Sequence, residues 1–254
     1  MNVVGIQMDI AWENPGANYE TASRLIEAAN PPQGSLVALP EMFASGFSMN
    51  TGRVAEAYGG PTEQFLAATA KQHRIHLLGG VAMRGKDGQA RNKALLFDPE
   101  GNLTGYYAKR RPFRPGGEHE HYTAGTKAAV LNCGPCKVSP FVCYDLRFPE
   151  LFREAAQSAR PELYVVIANF PSKRVLHWVR LLQARAIENQ AYVLGVNRVG
   201  RDPFYEYSGR SLIIDPQGEI IADAGEHEGT MHAELDLECL AQYRSGLPFL
   251  DDLG

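Results

Sequence analysis

The sequence predicts an α/β protein in which two sheets pack face to face and helices cover the outside. Apolar runs typical of strands alternate with amphipathic stretches typical of helices along all 254 residues. The second half repeats the βα pattern of the first, and two such halves favour two packed sheets. The alternation alone would equally allow one doubly wound sheet. Hydrophobic residues make up 44% of the chain, which can fill a sizeable core, and no linker interrupts it. We therefore expect a single domain over residues 1–254.

The first half supports five strands and two helices. The first helix, over 19–29, rests on Ala22, Leu25, Ile26 and Ala29 at helical spacing. Pro61 opens the second, over 62–72. A hairpin turn is predicted at 98–102, where the residues are Asp-Pro-Glu-Gly-Asn. The predicted strands are 3–10, 35–39, 76–83, 93–97 and 103–108.

The second half continues the alternation. Helices are predicted over 150–160 and 178–189, and a turn with the sequence Asp-Pro-Gln-Gly lies at 215–218. The ending, 243–254, is rich in Gly, Pro and Asp, and we expect it to pack on a partner subunit. The predicted strands are 137–143, 163–168, 192–199, 211–214 and 219–222.

The junction of strand and helix at Cys143 is the most informative feature of the chain. An apolar run ends at this cysteine, a polar turn follows, and the helix over 150–160 comes next. A helix start directs backbone N–H groups and a positive dipole end toward such a thiol, which would favour the thiolate and a developing oxyanion. A lone cysteine at a strand end is more often a buried, inert residue. Partners elsewhere in the chain decide between these two interpretations.

Two charged residues upstream of Cys143 also follow predicted strands. Glu41 comes after the apolar run 36–39, and Lys109 comes after Tyr106 and Tyr107. Sites in α/β proteins form at the carboxyl ends of strands, so a carboxylate, an ammonium and a thiol could meet there. Taken singly, either charge would be interpreted as a solvated surface group.

In this order and spacing, Glu41, Lys109 and Cys143 resemble the Glu-Lys-Cys triad of the nitrilase (carbon–nitrogen hydrolase) superfamily. Glu41 matches the general base in a Pro-Glu motif, and Cys143 matches the nucleophile in Cys-Tyr-Asp-Leu-Arg-Phe-Pro-Glu. The resemblance covers nearly the whole chain and implies a four-layer αββα sandwich. Further matches lie at 168–171 (Ala-Asn-Phe-Pro), 177–178, 181–189, 197–200 (Asn-Arg-Val-Gly) and 208–211 (Ser-Gly-Arg-Ser).

Within the superfamily, the chain is most similar to the omega-amidase branch, which includes the bacterial YafV-like proteins. A second glutamate near the site is usual in the superfamily, and Glu118 and Glu120 compete for this position. Counting back from Gly125, Glu118 has the separation of most branches and Glu120 that of a minority, so we choose Glu118. The branch usually has His-Leu-Phe-Arg-Met after the lysine, whereas this chain has Arg-Pro-Phe-Arg-Pro at 111–115.

The resemblance implies a cysteine-dependent amidohydrolase that releases ammonia through a thioester. Glu41 would take the proton from Cys143 and later activate water. Lys109 and the backbone N–H of Tyr144 would hold the oxyanion, and Glu118 would orient Lys109. Neither a metal nor an organic cofactor is required.

The omega-amidase likeness implies a small dicarboxylate monoamide such as 2-oxoglutaramate or 2-oxosuccinamate. A distal carboxylate needs a positive partner, and Arg111 and Arg147 are the candidates. The residues alone favour, for Arg147, a structural ion pair with Asp145 or Glu150. Three aromatic residues could form walls of the pocket, although core packing explains each at least as well. They are Phe43, Phe170 and Trp178.

The other cysteines carry weaker signals. Cys133 and Cys136 form a Cys-Gly-Pro-Cys motif, but a redox motif of this type needs a helix after it, and a strand is predicted here. A zinc site would need a second pair of ligands, which the spacing does not provide. Cys239 lies in a mixed apolar and acidic stretch and is predicted to pack in the interior.

Composition limits the partners. The formal net charge is −4 and no long basic run occurs, so nucleic acid is not an expected partner. No apolar run reaches membrane-spanning length and the start lacks signal-peptide features, so we expect a cytoplasmic protein that does not bind membranes. The expected partners are a small amide substrate and a second copy of the chain in a homodimer. The basic residues 109–111 and Arg114 are explained equally well as a solvated loop or as a funnel for anionic substrates.

Three alternatives stay open. The same scaffold could carry an aliphatic amidase, a carbamoylase or a nitrilase. The chain could be an inactive scaffold or binding protein, which the intact triad argues against. It could also be a thiol–disulfide protein that uses Cys133 and Cys136.

Overall fold

The strands and helices of both halves alternate as the sequence predicts. A computed structural model describes residues 1–253. The strands are β1 (Asn2–Gln7), β2 (Leu36–Ala38), β3 (His76–Arg84), β4 (Ala90–Phe97), β5 (Leu103–Ala108), β6 (Leu131–Cys133), β7 (Cys136–Val142), β8 (Leu163–Ile167), β9 (Tyr192–Val196), β10 (Val199–Arg201), β11 (Glu206–Ser208), β12 (Leu212–Ile214), β13 (Ile220–Asp223) and β14 (Gly229–Glu234). The α-helices are α1 (Pro15–Ala29), α2 (Thr51–Val54), α3 (Pro61–His73), α4 (Glu118–His121), α5 (Pro149–Ala159), α6 (Val175–Asn189) and α7 (Leu237–Gly246). Short 3₁₀ turns cover Arg114–Gly116, Cys143–Arg147, Ser172–Arg174 and Phe249–Asp252.

Two six-stranded mixed sheets form the centre, in the orders β14-β1-β2-β3-β4-β5 and β13-β12-β9-β8-β7-β6. Strands β1, β2 and β3 are parallel, as are β7, β8 and β9. Strand β5 is antiparallel to β4, which is antiparallel to β3, so β5 runs in the direction of β2. The carboxyl ends of β2 and β5 therefore lie at the same edge of the first sheet.

The two sheets pack against each other through alternate residues of their strands. In β1, Val3 belongs to the core cluster that includes Val165 and Leu194 of the second sheet, whereas Val4 belongs to the cluster beneath α1 and α3. A methyl group added at Gly5 would lie 3.4 Å from Leu194, which shows how closely β1 and β9 approach. Helices α5 and α6 cover the far side of the second sheet. The αββα sandwich is thus confirmed, and the single doubly wound sheet is wrong.

The observed helices and strands differ from prediction where polar residues cap a helix or make up a strand. Helix α1 begins at Pro15, four positions before the predicted start, because the side chain of Asn14 accepts a hydrogen bond from the amide of Ala17. Strand β14 was not predicted, since it lies at a sheet edge and buries only Met231. It pairs antiparallel with β1 and so brings the end of the chain back to its start.

The last segment leaves two large apolar side chains in solvent. Leu247 and Phe249 are 46% and 55% exposed, while Leu250 is buried. The expected contact of this segment with a partner subunit stays a prediction. Within residues 1–253, no helix combines the length and apolar character needed to cross a bilayer.

Candidate active site

Cys143 lies directly after β7, on a turn with unusual backbone geometry. Its φ is +47°, in the left-handed region that non-glycine residues rarely adopt. The chain passes through the 3₁₀ turn Cys143–Arg147 before α5 begins at Pro149. This geometry turns the thiol away from the strand and into a pocket between the sheets' edges. The predicted strand-to-helix junction is confirmed.

Glu41 follows β2 and is fully buried. The chain packs so tightly here that a methyl group at Gly80 of β3 would lie 2.5 Å from the Cα of Glu41. Met42, the next residue, has φ +46°. The close approach of β3 and this turn together fix the direction of the carboxylate.

Lys109 follows β5, and its side chain is 1% exposed. Its amide donates to the carbonyl of Asn92, and its carbonyl accepts from the amide of Gly125, at 2.9 and 2.8 Å. Nζ lies 2.8 Å from Oε1 of Glu41 and 2.8 Å from Oε2 of Glu118. Cys143 interacts with both Glu41 and Lys109, so the structure brings the three residues together at strand ends.

Of the two competing glutamates, the structure brings Glu118 to the site. Glu118 is fully buried and accepts a further hydrogen bond from the amide of Phe113 at 2.5 Å. The side chain of Glu120 is 68% exposed and lies 3.9 Å from Nε2 of His119. Position 125 requires glycine, since a methyl group there would lie 2.2 Å from the carbonyl oxygen of Ala108. This steric requirement explains why the spacing to Glu118 can be counted from Gly125.

Two asparagines complete the surroundings of Glu41. Nδ2 of Asn92 lies 2.7 Å from Oε1 of Glu41 and 3.0 Å from Oε1 of Glu118. The amide of Asn169 donates to Oε2 of Glu41 at 2.8 Å, and its side chain donates to the carbonyl of Glu41 at 2.7 Å. Asn169 lies in the Ala-Asn-Phe-Pro motif at 168–171, but the sequence assigned it no role. Asn92 was not identified from the sequence.

Burial and charge set the protonation states. Burial lowers the pKa of Lys109, but the adjacent Glu118 and Glu41 outweigh it, so its pKa lies above the ordinary value. Burial, followed by the charge of Glu41, raises the pKa of Cys143 well above its ordinary value, against the opposing effect of Lys109. Burial and Glu41 thus oppose the thiolate that the helix start was expected to favour. Sγ lies 3.8 Å from the carbonyl of Asn169 and within hydrogen-bonding reach of Glu41.

Asp145 stabilises the turn that carries the thiol. Its carboxylate accepts from the hydroxyl of Tyr107 and the amides of Arg111 and Val142, at 3.0, 2.8 and 3.1 Å. Burial raises its pKa to about 7, against the charge of Lys109 and these three donors. Asp145 thus ties the turn after β7 to the segment after β5.

The pocket at Cys143 is lined mainly by aromatic rings and two arginines. Arg147 stacks over Phe170, 5.6 Å from the ring centre, and its Nη2 lies 3.1 Å from Nδ1 of His177. Arg174 stacks over Phe113 at 5.3 Å. The ion pair of Arg147 with Asp145 or Glu150 is not formed, and among residues 1–253 neither arginine pairs with an acid. The remaining lining residues are Phe47, Tyr144, Asn169, Pro171, Tyr205 and Tyr207.

Three of the residues predicted to contact substrate lie outside this pocket. Phe43 is fully buried beside Tyr19 and Phe65 in the core under the helices. Trp178 is fully buried behind Phe170, with Nε1 donating to the carbonyl of Arg210 at 2.6 Å. Arg111 pairs with Glu150 at 3.2 Å and faces a neighbouring cleft. Of the predicted wall residues, the structure brings only Phe170 to the pocket.

The remaining cysteines lie away from the site. Cys133 and Cys136 face each other across the β6–β7 hairpin, both buried and both free thiols. A strand follows them, as predicted, and burial raises the pKa of Cys136 to about 12. Cys239 is exposed on α7, so its predicted packing in the interior is wrong.

Relatives of the chain are carbon–nitrogen hydrolases. Omega-amidase YafV of Escherichia coli strain K12 is 38% identical over 254 residues, covering 99% of this chain and 96% of its own. The 2-oxoglutaramate amidase of Bacillus subtilis strain 168 is 35% identical over 249 residues, covering 98% and 95%. A CN-hydrolase superfamily protein of Xanthomonas campestris superposes with a TM-score of 0.93 at 35% identity, covering 99% of this chain and 96% of that one.

The yeast protein Nit3 of Saccharomyces cerevisiae, a member of branch 10 of the nitrilase superfamily, gives a TM-score of 0.88 at 29% identity, covering 98% and 94%. The carbon–nitrogen hydrolase family model matches residues 3–245 of this chain. The match spans both sheets and every residue of the Glu41, Lys109 and Cys143 group, and the chain belongs to the carbon–nitrogen hydrolase family, the nitrilase superfamily of C–N hydrolysing enzymes.

Proposed function

We propose that the protein is an omega-amidase that hydrolyses the terminal amide of a small dicarboxylate monoamide of the 2-oxoglutaramate or 2-oxosuccinamate type. One observation carries the choice of substrate: the pocket at Cys143 contains two arginines that pair with no acidic side chain of residues 1–253. A buried or half-buried guanidinium without a counterion is suited to bind a carboxylate of the ligand. The names of relatives at 35–38% identity, 2-oxoglutaramate amidase and omega-amidase, support the same choice.

The first half-reaction forms a thioester. Sγ of Cys143 attacks the amide carbon while Glu41 takes the thiol proton, because a protonated thiol needs a base at the moment of attack. The oxyanion is stabilised by Nζ of Lys109 and by the backbone N–H of Tyr144. The tetrahedral intermediate collapses, Glu41 returns the proton to the amide nitrogen, and ammonia leaves.

The second half-reaction hydrolyses the thioester. Water attacks the acyl carbon as Glu41 accepts one of its protons, and the same two donors hold the second oxyanion. The C–S bond then breaks and the thiolate recovers its proton from Glu41, which releases the dicarboxylate product. Glu118 shares Lys109 with Glu41 and holds the ammonium in the position that both steps require.

Substrate orientation follows from the arginines. The distal carboxylate binds Arg147 and Arg174, and Phe170 supports the apolar carbons between carboxylate and amide. Arg111 is not a direct contact in this arrangement, since Glu150 occupies its guanidinium. Arg174 replaces it as the second arginine of the proposed carboxylate site.

A panel of ammonia-release assays tests the proposal. We expect kcat/KM for 2-oxoglutaramate to exceed by at least about 100-fold the values for a neutral aliphatic amide, a nitrile and an N-carbamoyl amino acid. Preference for one of the latter three would assign the aliphatic amidase, nitrilase or carbamoylase activity instead. If none of the four compounds released ammonia, the inactive scaffold would be favoured. If a Cys133→Ser, Cys136→Ser double variant lost its amidase activity, the thiol–disulfide alternative would be reopened.

We further propose that the enzyme acts in the cytoplasm as a homodimer. A reducing compartment keeps Cys143 available as a thiol. The exposed Leu247 and Phe249 in the final segment are suited to an interface between copies. Light scattering of the purified protein, compared with a Leu247→Ser, Phe249→Ser variant, tests the dimer.

A further inference from the structure

Asn92 contacts the carboxylates of both site glutamates and the backbone of Lys109. It lies on β4 and is 2% exposed. Its side-chain nitrogen lies 2.7 Å from Oε1 of Glu41 and 3.0 Å from Oε1 of Glu118. Its backbone carbonyl accepts the amide hydrogen of Lys109 at 2.9 Å. One residue therefore touches both carboxylates and the segment that carries the ammonium.

The glutamate oxygens at this place outnumber the hydrogens that Lys109 can donate. The side chains of Glu41 and Glu118, each 0% exposed, share one ammonium that is 1% exposed. An ammonium has three hydrogens, and Lys109 uses two of them on Glu41 and Glu118. Oε1 of Glu41 already accepts one of these hydrogens, whereas Oε1 of Glu118 accepts from Asn92. Buried carboxylate oxygens need donors, so Oε1 of Glu118 would compete for the third hydrogen of Lys109 if Asn92 did not donate to it.

We propose that Asn92 is a positioning residue that donates one amide hydrogen to each carboxylate and thereby leaves the third N–H of Lys109 free for the oxyanion. The inference rests on the proposed hydrolysis at Cys143 and adds a requirement to it. Asn92 does not touch the reacting atoms; it acts through Glu41, Glu118 and Lys109.

The orientation of the amide supports this role. Its oxygen Oδ1 is buried and has no hydrogen-bond partner among the described residues. An unpaired buried acceptor costs free energy, so this orientation persists only because both hydrogens of the amide are used. The opposite orientation would set Oδ1 against the oxygens of two carboxylates.

Replacement by aspartate makes the role measurable. Asn92→Asp keeps the shape, removes both donors and adds a third carboxylate at the pair. The titratable groups that interact electrostatically with this pair are Lys109, the Cys143 thiol and the Tyr122 hydroxyl, and Asp145 interacts in turn with Lys109. A protonated aspartate can again donate one hydrogen, so activity relative to wild type should recover as the pH falls.

The experiment uses the full chain and whichever amide the wild-type enzyme hydrolyses. For Asn92→Asp we expect kcat near pH 8 to fall by at least about 100-fold, with KM changed less than about threefold. The ratio of its kcat to that of wild type should rise as the pH is lowered to roughly 5.5. Asn92→Ala should lose kcat to a similar extent without this recovery, and it carries the test if the aspartate variant does not fold.

Asn189 on α6 provides a matched control. It is 1% exposed, its side-chain nitrogen donates to the carbonyl of Arg185 at 2.9 Å, and its Oδ1 is also buried without a partner in residues 1–253. Asn189→Asp should lower stability but leave the pH profile of kcat unchanged. A kcat for both Asn92 variants within about fivefold of wild type, or a pH-independent ratio for Asn92→Asp, overturns the inference. If wild type releases no ammonia from any amide, the proposed function fails instead.

Discussion

Asn169 is bound to Glu41 by three hydrogen bonds, although 128 positions separate the two residues. The amide and side chain of Asn169 donate to Oε2 at 2.8 and 3.3 Å, and the side chain also donates to the carbonyl of Glu41 at 2.7 Å. Asn169 follows β8 in the second sheet, and Glu41 follows β2 in the first. The base is therefore fully oriented only when the two sheets have packed together.

Cys143→Ser should abolish ammonia release while the fold is retained. Serine is nearly isosteric and tolerates the same φ of +47°, but a hydroxyl with only a carboxylate base is a poor nucleophile. Ammonia assays and thermal unfolding of the purified variant measure the two effects. Cys239→Ser, at an exposed thiol, should behave as wild type. Turnover near the wild-type rate in Cys143→Ser would contradict the nucleophile assignment.

Lys109→Met should reduce both kcat and stability. The substitution removes an oxyanion donor, which costs about 100- to 1,000-fold in kcat. It also leaves two buried carboxylates without their counterion, a change that typically costs about 3–5 kcal/mol. Urea unfolding and steady-state kinetics measure these losses, with the exposed Lys127→Met as a control. A loss of less than about tenfold in kcat, or roughly 1.4 kcal/mol, would contradict the oxyanion role and leave Lys109 as a structural counterion of the two glutamates.

The residues of the site were predictable where a motif fixes the backbone. Glu41, Lys109 and Cys143 follow strands whose carboxyl ends meet at one edge, and a sequence pattern contains that information. Asn92 was missed because the predicted strand began at 93, whereas β4 begins at Ala90. Asparagine is depleted in strands, so the apolar pattern placed it outside one.

Side-chain contacts across the chain were not predictable. Phe43 and Trp178 are aromatic residues of the kind that often line pockets, yet both pack in the core. Whether a ring faces a core or a cavity depends on the packing of several elements, which spacing does not record. The same holds for Arg111 and Arg174, since only the structure shows that Glu150 pairs with Arg111 while Arg174 stacks on Phe113.

The central strands and the four longest helices were predictable, whereas α2, α4, α7 and the strands β6, β10, β11 and β14 were not. Buried parallel strands such as β8 are continuous apolar runs, and their positions agree closely with prediction. Strand β14 and the β10–β11 hairpin are partly exposed and polar, so their pattern does not stand out from loops. Their position depends on pairing with distant strands.

Glu118→Gln should damage catalysis far more than Glu120→Gln. Glu118 is buried against Lys109, whereas the Glu120 side chain is 68% exposed. The loss of one charge next to the ammonium should lower kcat by about 100-fold, while the exposed substitution should have little effect. The two kcat values, measured side by side, decide the point. The reverse ranking would show that Glu120 is the second site glutamate.

Asp145 should make stability depend on pH. Its pKa is raised from 3.8 to about 7 by burial, so the folded state binds its proton more tightly than the unfolded state does. This contribution is complete below about pH 4 and is lost as the pH rises through 7, an effect on the order of 4 kcal/mol. Urea unfolding of wild type and Asp145→Asn between roughly pH 5 and 8 should show wild type losing stability relative to the variant. A pH-independent difference would contradict this prediction.

Arg147→Met and Arg174→Met should each remove the preference for a substrate with a distal carboxylate. Both arginines line the Cys143 pocket and pair with no acid in the part of the chain that the structure describes, so each variant should lose about 2–5 kcal/mol of binding to an anionic substrate. The comparison is kcat/KM for 2-oxoglutaramate against that for a neutral amide of the same chain length. The variants should lose activity on the former and keep it on the latter, because the triad is untouched. Arg111→Met is the matched control, since Arg111 lies in the neighbouring cleft and pairs with Glu150. If Arg111→Met alone lost the preference, the carboxylate would bind in that cleft, and the proposed orientation of the substrate would be wrong while hydrolysis at Cys143 remained intact.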